Sequence, residues 1–326
     1  MQKLEETVNF ELKDNNLLVL VLGAQDIHVR LIEEYLDVSV SPRGNTIFIS
    51  GLREKVETAQ DVIQKLYIMA EQGLQVTAND VRATLRMNGD KASEESDDTT
   101  LQIKTRKKVV APRTPNQAKY IKQMLQNDLV FGVGPAGTGK TYLAVALAVA
   151  KMLKGEVSRL ILSRPAVEAG EKLGFLPGDM KEKVDPYLRP IYDALHDMLT
   201  PEELARKIEL GEIEVAPLAF MRGRTLSNAF IIIDEAQNTT PTQMKMFLTR
   251  LGKNSQMVVT GDMSQIDLPK GTLSGLIEAT QILRGVEGVA ITEFISEDVV
   301  RHPLVGRIVK AYEKETQRRK GLGGSE

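Results

Sequence analysis

A glycine-rich stretch near the middle of the chain carries residues whose types and spacing suit the binding of phosphate. Residues 134–141 read GPAGTGKT and satisfy the phosphate-loop pattern G-x4-G-K-[S/T]. In this pattern the loop N–H groups point at phosphate oxygens, the lysine reaches the terminal phosphates, and the last hydroxyl binds Mg²⁺. The run LVF precedes the loop and a helical pattern follows it, which is the context that the motif requires. The predicted nucleotide-binding residues are Gly134, Pro135, Ala136, Gly137, Thr138, Gly139, Lys140 and Thr141.

An aspartate and a glutamate follow the most apolar run of the chain. Residues 230–238 read FIIIDEAQN, so Asp234 and Glu235 come directly after a buried strand pattern. In phosphate-loop hydrolases this is the Walker B position, where an aspartate holds the metal and a neighbouring carboxylate polarises the attacking water. We therefore predict that Thr141 and Asp234 are Mg²⁺ ligands and that Lys140 and Glu235 are catalytic. The alternative is that the acidic pair is an ordinary helix N-cap.

Two glutamines complete the predicted site. Gln265 lies in TGDMSQID, residues 260–267, after another apolar strand pattern. Its amide suits contact with the terminal phosphate and the attacking water, and the alternative is a surface glutamine beside a Gly-Asp turn. Gln117 lies in RTPNQ upstream of the loop and has the donor and acceptor needed to read the edge of adenine. The sequence contains no guanine-reading N-K-x-D, so ATP is favoured over GTP.

The elements that must position these residues are predicted in residues 113–316. Six short apolar runs alternate there with helical patterns, and several are apolar on both faces, as expected of strands in a parallel sheet covered by helices. The fold class is therefore α/β with a mainly parallel sheet. The six strand candidates are LVFGVG, RLILSRP, IEVAPL, FIIIDEAQ, QMVVTGD and VAITEF.

The rest of the chain divides into three further segments. Residues 1–80 are predicted to be a small α+β domain in which VNFEL, LLVLVLG and a hairpin around residues 42–45 are strands. Residues 81–112 are predicted to be a charged linker or arm, and residues 317–326 a disordered tail. The run Lys104, Arg106, Lys107 and Lys108 is the most basic local stretch. It is interpreted as a solvated strand face or as an arm that contacts an anionic partner.

Composition excludes several classes of site and of protein. The formal net charge is −2, so no global basic field indicates nucleic acid. There are no cysteines, which excludes disulfides and thiolate metal sites. The three histidines are scattered and are predicted to lie on the surface. No apolar run is long enough to cross a membrane and no signal-peptide pattern occurs, so we expect a cytoplasmic protein with no membrane partner.

The four motifs together resemble the PhoH-like proteins, whose ATPase lobe is similar to the first RecA-like lobe of superfamily 1 helicases. Residues 163–195 and 220–238 look like further blocks of that family, so the resemblance covers nearly all of the P-loop region. The N-terminal domain resembles the KH module of the longer members. A KH domain clamps RNA backbone with a G-x-x-G loop. Here the matching place reads Gly23-Ala24-Gln25-Asp26, and its acidic last residue would repel phosphate.

A lobe of this kind lacks the arginine that a second lobe supplies to the terminal phosphate. About 60 residues follow residue 267, too few for a second lobe. A neighbouring subunit in a closed ring can supply the arginine instead, and PhoH-like proteins resemble hexameric ring ATPases. We predict that Arg301 acts in trans, with Arg222 and Arg224 as rivals that could instead bind a nucleic-acid backbone. Arg164 is predicted to contact a single strand.

The resemblance implies a cytoplasmic, homo-oligomeric ATP hydrolase that uses ATP and Mg²⁺. The expected work is on RNA, as ATP-driven translocation, remodelling or helicase-like activity in RNA processing. The alternative is an ATP-gated adaptor that recruits a ribonuclease or a ribosome-maturation protein without unwinding. The acidic linker and the altered G-x-x-G favour this alternative. A P-loop small-molecule kinase is a more distant reading, because the sequence has no arginine-rich lid.

Overall fold

The structure is a computed structural model that describes residues 5–71, 73, 76–89, 101–165, 180–269 and 271–300. Its internal contacts divide the chain into two compact units. The N-terminal unit comprises Met1–Leu101 with Ala111–Ala118, and the P-loop unit comprises Gln102–Val110 with Lys119–Glu326. Among the helices of the described residues, none combines the length and apolar composition needed to cross a membrane.

The N-terminal unit packs helices on a three-stranded antiparallel sheet of order β1-β3-β2. Its elements are β1 (Glu5–Glu11), α1 (Asn15–Leu22), α2 (Ile27–Leu36), β2 (Ser39–Arg43), β3 (Thr46–Leu52), α3 (Arg53–Glu71) and α4 (Ala78–Gly89). The predicted strand VNFEL and the predicted hairpin are both present, with the hairpin turn at residues 44–45. The small α+β domain that the sequence predicted is therefore confirmed.

One predicted strand of this unit is wrong. The run LLVLVLG forms helix α1 and not a strand. A continuous apolar run has no period that distinguishes a strand from a helix, so the residues at its two ends indicate which of the two forms. The Asp14 carboxylate caps the helix by accepting the Asn16 N–H at 2.8 Å, and Gly23 ends it with φ 73°. Leu18 and Val21, three residues apart, are buried on the core face.

The N-terminal core extends beyond the predicted domain boundary at residue 80. That boundary lies inside α4, where Val81 and Leu85 are fully buried against the core of the same unit. The Asp80 carboxylate accepts the backbone N–H of Thr77 at 3.0 Å at the start of this helix. The charged composition that indicated a linker begins only after these apolar residues. The remainder of the predicted linker at 90–100 and the predicted tail at 317–326 lie outside the described residues.

The P-loop unit is built on a six-stranded sheet in which all five strand pairings are parallel. All six predicted strands are present, and their order across the sheet is β11-β6-β10-β9-β7-β8. The elements are β4 (Ile103–Lys104), β5 (Val109–Val110), α5 (Pro115–Gln126), β6 (Leu129–Val133), α6 (Lys140–Leu153), β7 (Arg159–Arg164), α7 (Met180–Met198), α8 (Pro201–Glu209), β8 (Ile213–Pro217), β9 (Ala229–Ile233), α9 (Pro241–Leu248), β10 (Gln256–Gly261), α10 (Gly275–Ile282) and β11 (Val289–Glu293). Helix α5 begins in the N-terminal unit and continues into this one.

The central strands explain why the sheet forms and where its site lies. Every residue of β6, β9 and β10 is buried, as expected where helices cover both faces of a parallel sheet. Parallel strands end at one common edge, and ligands of open α/β sheets bind outside that carboxyl edge. The residues that follow β6, β10, β9 and β7 therefore converge there, although they come from distant parts of the sequence.

The basic run at 104–108 belongs to a two-stranded antiparallel hairpin of β4 and β5. Arg106 pairs with Glu203 at 3.3 Å, and Lys108 pairs with Asp197 at 2.6 Å. The Lys107 ammonium donates to the carbonyl of His196 at 2.7 Å. These three basic side chains are thus engaged by α7 and α8 of their own unit, which supports the structural interpretation of this run over an arm for an anionic partner.

Candidate nucleotide site

The phosphate loop joins β6 to α6, as the sequence predicted. Gly134, Gly137 and Gly139 have φ of 141°, 85° and 83°, in the region that glycine adopts without steric cost. A Cβ on Gly134 would lie 2.4 Å from the carbonyl oxygen of Phe294, so this position has no room for a side chain. The loop therefore needs glycine for its backbone conformation and, at its first residue, for close packing.

The Lys140 side chain lies inside the loop and is buried. Its ammonium donates to the carbonyls of Gly134 and Pro135, each at 2.7 Å, and lies 3.3 Å from the Thr138 hydroxyl. These contacts hold a positive charge within the loop at the N-terminus of α6, where the helix dipole also favours an anion. Loop, lysine and helix together form a candidate site for phosphate.

Three oxygen-bearing side chains meet beside the loop. The Thr141 hydroxyl donates to Oδ1 of Asp234 at 2.6 Å, and the Thr260 hydroxyl donates to the same oxygen at 2.8 Å. The two hydroxyls are 3.3 Å apart. Thr141 and Asp234 were predicted to share a metal, and the fold brings them into direct contact. Thr260 was missed. Its place near the end of the apolar strand MVVTG was the only signal, and this signal did not show which carboxylate the hydroxyl would contact.

Glu235 follows Asp234 in the chain and has a left-handed backbone conformation, with φ 53°. For a non-glycine residue this conformation costs about 1–2 kcal/mol and persists only where the surroundings enforce it. Its carboxylate oxygens have different partners: Arg164 lies 3.4 Å from Oε1, and the Gln237 amide donates to Oε2 at 2.6 Å. Arg164, predicted to contact a single strand, is thus brought to the predicted base.

Gln237 is a second residue that sequence reasoning left without a role. It is buried, and besides Glu235 its amide nitrogen contacts the carbonyl of Gln265 at 3.1 Å. Its amide oxygen accepts the backbone N–H of Asp262 at 3.0 Å. The side chain therefore links the end of β9 to the turn after β10. Its position in DEAQ, two residues after the predicted base, was the only signal in the sequence.

Asp262 connects this turn to the phosphate loop. Its Oδ2 accepts the N–H of Ala136 at 3.1 Å and the amide of Gln265 at 2.6 Å, and its Oδ1 accepts the Ser264 hydroxyl at 2.6 Å. Burial raises the pKa of this carboxyl, but the hydrogen bonds from Ser264 and Gln265 and the charge of Lys140 outweigh burial, so the net pKa lies below its ordinary value. Gln265, the predicted phosphate sensor, is therefore held through Asp262 at the edge of the loop.

A cavity of about 490 Å³ adjoins the loop and the carboxyl ends of β9 and β10. Helix α7 forms the wall of the cavity opposite the loop. This wall could not be predicted, because no local sequence pattern indicates which helix packs over a loop. The Asp197 carboxylate on this wall also accepts the Tyr142 hydroxyl at 3.2 Å. The cavity residues are Ala136, Gly137, Gly139, Lys140, Thr141, Tyr142, Pro190, Asp193, Ala194, Asp197, Asp234, Glu235, Gly261, Asp262 and Gln265.

The other predicted site residues lie elsewhere. Gln117 is buried and its amide oxygen accepts the Arg113 N–H at 2.6 Å within the N-terminal unit, so its contact with adenine stays a prediction. Arg224 forms a two-point contact with Glu214 at 2.6 and 2.7 Å, which satisfies it within its own unit. Arg222 is exposed. Arg301 lies outside the described residues.

The predicted surface position is wrong for one of the histidines. His28 was predicted to lie on the surface, but it is buried and its Nδ1 lies 2.9 Å from the carbonyl oxygen of Val21. Its neighbours on α2, Val29 and Ile32, are also in the core, so the helical stripe carried His28 inward. Within the described ranges, no group of three or more His, Cys, Asp or Glu side chains is placed to hold a metal ion.

A parallel sheet with this loop, and with Asp234 and Glu235 beside it, defines a P-loop nucleotide-binding protein of the ATPase type. The family profile described as PhoH-like protein matches residues 109–313, and the chain belongs to the PhoH family. A PhoH-like protein of Bacillus subtilis (strain 168) is 49% identical over 311 residues, covering 94% of this chain and 98% of the relative. One from Synechocystis sp. is 45% identical and covers 95% of each chain.

Two further similarities cover less of the chain. Protein PhoH of Escherichia coli (strain K12) is 45% identical over 205 residues, which are 62% of this chain and 58% of that protein. A solved structure titled Sulfolobus solfataricus SWI2/SNF2 ATPase core in complex with dsDNA is 15% identical with a TM-score of 0.32, and the match covers 56% of this chain and 44% of that one.

Proposed function

We propose that this protein is a Mg²⁺-dependent ATP hydrolase whose turnover is coupled to RNA. The observation that carries the proposal is the 2.6 Å contact between the Thr141 hydroxyl and the Asp234 carboxylate, next to the phosphate loop and one residue before Glu235. A phosphate loop alone binds nucleotide. A loop with a metal-binding pair and an adjacent carboxylate has the groups that hydrolysis needs.

The donor set fits Mg²⁺, which prefers hard oxygen ligands and takes few of them from the protein. Thr141 and Asp234 would hold the ion. When bound, Mg²⁺ supplies positive charge that offsets the charge of the phosphate oxygens. Lys140 and the loop N–H groups orient the phosphates in the same place. These groups act by positioning and by charge stabilisation, which provide most of the catalysis in phosphoryl transfer.

Glu235 is proposed as the base. Its carboxylate accepts a proton from the attacking water while the water oxygen bonds to the terminal phosphorus, and the bond to the bridging oxygen breaks to release ADP. Gln265 is proposed to contact the terminal phosphate from the turn after β10, where Asp262 holds its amide at 2.6 Å. Gln117 is proposed to read adenine, which would favour ATP over GTP.

A homo-oligomeric ring, hexameric by analogy with similar ATPases, is part of the proposal because the described residues of the P-loop unit form one parallel sheet with one phosphate loop. Arg301 is proposed to act on a neighbouring site. The chain reaches its own loop one residue earlier, where the Val300 N–H donates to the carbonyl of Gly137 at 3.0 Å. A mixing experiment distinguishes action in trans from action in cis. Inactive Lys140→Ala and Arg301→Ala proteins regain hydrolysis on mixing if the arginine acts in trans.

The alternative function is an ATP-gated adaptor for a ribonuclease or a ribosome-maturation protein. Two observations favour it over RNA work: Asp26 stands at the G-x-x-G position, and the hairpin cations Arg106 and Lys108 are paired within their own unit. Such a protein would bind ATP tightly, hydrolyse it slowly and ignore RNA.

The test is steady-state ATP hydrolysis by the full chain across a titration of single-stranded RNA, with Glu235→Gln as the background. Saturable stimulation that disappears in Glu235→Gln supports the RNA-coupled ATPase. Hydrolysis that is lost in Glu235→Gln but indifferent to RNA supports the adaptor. Hydrolysis that survives Glu235→Gln contradicts the proposed base in both functions.

A further inference from the structure

The Glu235 carboxylate has a separate polar partner on each oxygen. Arg164 lies 3.4 Å from Oε1, and the Gln237 amide donates to Oε2 at 2.6 Å. We infer that Arg164 and Gln237 are positioning residues that orient this carboxylate toward the attacking water. The inference rests on the proposed function, because it assigns Glu235 the role of base.

The sheet register brings Arg164 to this position. Strands β7 and β9 are parallel neighbours, with Ser163 opposite Ile233, and the Asp234 N–H donates to the carbonyl of Ser163 at 2.9 Å. The last residue of β7 therefore lies beside the residues that follow β9. Two carboxylates, Asp234 and Glu235, are adjacent there and repel each other. The half-buried Arg164 beside Glu235 offsets that repulsion and holds Oε1 of the carboxylate in place.

Gln237 holds the other oxygen and connects it to the phosphate-sensing turn. Its amide nitrogen also contacts the carbonyl of Gln265 at 3.1 Å, and its amide oxygen accepts the Asp262 N–H at 3.0 Å. A buried amide that donates and accepts in this way cannot be replaced by a carboxylate or an apolar group without losing a bond. A shift of the Asp262–Gln265 turn is therefore transmitted to Glu235 through one side chain.

Both residues act through Glu235 and not on the nucleotide. Glu235 lines the cavity beside the phosphate loop, whereas Arg164 and Gln237 are absent from the described residues that line it. Their replacement is consequently expected to change the rate of the chemical step and to leave the affinity for ATP unchanged.

The experiment compares two arginines of the same strand. Arg164→Gln removes the charge at the carboxyl end of β7, and Arg164→Lys keeps it. Arg159→Gln is the matched control, because Arg159 lies at the amino end of β7 and donates to the carbonyl of Ser227 at 3.1 Å. For each full-length variant, kcat and KM are measured with Mg²⁺ and ATP, together with the Kd for ATP and the melting temperature.

We expect Arg164→Gln to lower kcat about ten- to hundredfold, the scale of a misplaced catalytic group, with the Kd for ATP within about twofold. Arg164→Lys restores part of kcat, since a cation near Oε1 remains, and Arg159→Gln changes neither quantity. Gln237→Met, which keeps the volume and removes the amide, lowers kcat in the same way. It repeats the test at Oε2 if Arg164→Gln does not fold.

A double-mutant comparison separates positioning from a general structural effect. In the Glu235→Gln background, Arg164→Gln is expected to lower the single-turnover rate by less than about twofold, because residues that act as a unit are not additive. The same loss in both backgrounds overturns the inference. So does a weaker Kd with unchanged kcat, or a kcat that rises.

Failure of the inference and failure of the proposed function give different results. If Glu235→Gln leaves hydrolysis unchanged, the proposed base is wrong and no residue positions it. If Glu235→Gln abolishes hydrolysis while Arg164→Gln and Gln237→Met retain the wild-type kcat, the base stands and only the positioning role is overturned.

Discussion

Two glycine turns of this chain precede helices, and they differ in the charge that each presents. The phosphate loop leads into α6 with Lys140 at the helix start, and its non-standard backbone angles fall on glycines. The turn Gly23-Ala24-Gln25-Asp26 leads into α2, and Gln25 and Asp26 have φ of 53° and 57° without being glycine. The first helix end presents a cation and N–H groups to an anion. The second carries its own carboxylate, which interacts favourably with the helix dipole and repels phosphate.

A turn before a helix is therefore only a framework for anion binding. We expect the sign of the charge at the helix start, and the partners that other strands bring to it, to decide whether phosphate binds. Asp234, Thr260 and Asp262 converge on the phosphate loop within the P-loop unit.

Loss of the loop cation is expected to have the largest effect. Lys140→Ala removes the ammonium that contacts Gly134 and Pro135, and we expect ATP turnover to fall by about 10²–10³-fold, as when a charge-stabilising group is deleted. Lys154→Ala, at the other end of α6, is the control. Steady-state hydrolysis with saturating Mg²⁺ provides the measurement, and an equal loss in both variants would contradict the role of Lys140.

Replacing the first glycine of each turn by alanine is expected to reduce stability by different amounts, because the added methyl group meets backbone in one turn and a side chain in the other. A Cβ on Gly134 would lie 2.4 Å from the backbone oxygen of Phe294, and a Cβ on Gly23 would lie 2.8 Å from the His28 ring. We expect Gly134→Ala to lower the free energy of unfolding by about 2–4 kcal/mol. Gly23→Ala is expected to cost about 1–2 kcal/mol, because a side chain shifts more readily than backbone.

Chemical denaturation of the two variants measures this difference. Gly44→Ala is the reference, since Gly44 has φ 63° and no atom lies within 4 Å of its added Cβ. It isolates the backbone cost of a left-handed alanine, about 1 kcal/mol. A Gly134→Ala protein as stable as Gly44→Ala would show that the phosphate loop can shift away from the Phe294 backbone, which would contradict the expected steric cost.

The Asp262 carboxylate, which accepts the Ala136 N–H of the phosphate loop, is expected to contribute to stability in a pH-dependent way. The pKa of Asp262 in the folded chain lies below its ordinary value of 3.8, so its contribution is present above about pH 4 and is lost as pH falls through the lowered pKa. Asp262→Asn is expected to cost about 1–2 kcal/mol at pH 7, the value of the hydrogen bonds it disturbs.

Paired denaturation curves of the wild type and Asp262→Asn between pH 7 and pH 3 check this. The difference in free energy of unfolding should shrink below about pH 4, where the native carboxyl takes up its proton. A difference that is constant with pH would mean that the charge of Asp262 has no part in its effect. Asp267→Asn, on the same turn but exposed, is the matched control.

The smallest expected effect concerns the other turn. Asp26→Gly restores the G-x-x-G pattern and relieves a left-handed non-glycine residue, so we expect about 1 kcal/mol of added stability. Affinity for single-stranded RNA should rise about three- to tenfold and fall again at higher salt. Fluorescence anisotropy with labelled RNA at two salt concentrations measures this change.

The control for Asp26→Gly is Asp37→Gly. Asp37 has φ 54° at the C-terminal end of α2, so the substitution relieves the same strain at the opposite end of the same helix. Equal gains in RNA affinity for the two variants would refute a specific role of the G-x-x-G position. No gain in either would favour the adaptor function.

The parts of the fold that were predictable are those with a local cause. The six strands of the P-loop unit were evident because each is a short apolar run between helical patterns. Helix α1 was not, because LLVLVLG is apolar at every position and only Asp14 and Gly23 indicate its ends. The extension of the N-terminal core to Leu85 was missed because the charged composition nearby outweighed two apolar residues.

The candidate site divides in the same way. The meeting of Thr141 and Asp234 beside Lys140 and Glu235 could be predicted, because short motifs with fixed spacing mark these residues. Their catalytic and metal-binding roles stay predictions. The contact of Thr260 with Asp234, the bonds from Gln237 to the turn after β10 and the contact of Arg164 with Glu235 could not be predicted. Each depends on which strand ends beside which.

Local sequence specifies the local chemistry: a turn that must be glycine, a lysine and a hydroxyl at a helix start, and two carboxylates after a buried strand. The partners of these groups depend on how the strands and helices pack. The order β11-β6-β10-β9-β7-β8 places residues from across the P-loop unit at one edge of the sheet. Strand order follows from the packing of whole helices on both faces, which no segment of the sequence specifies alone.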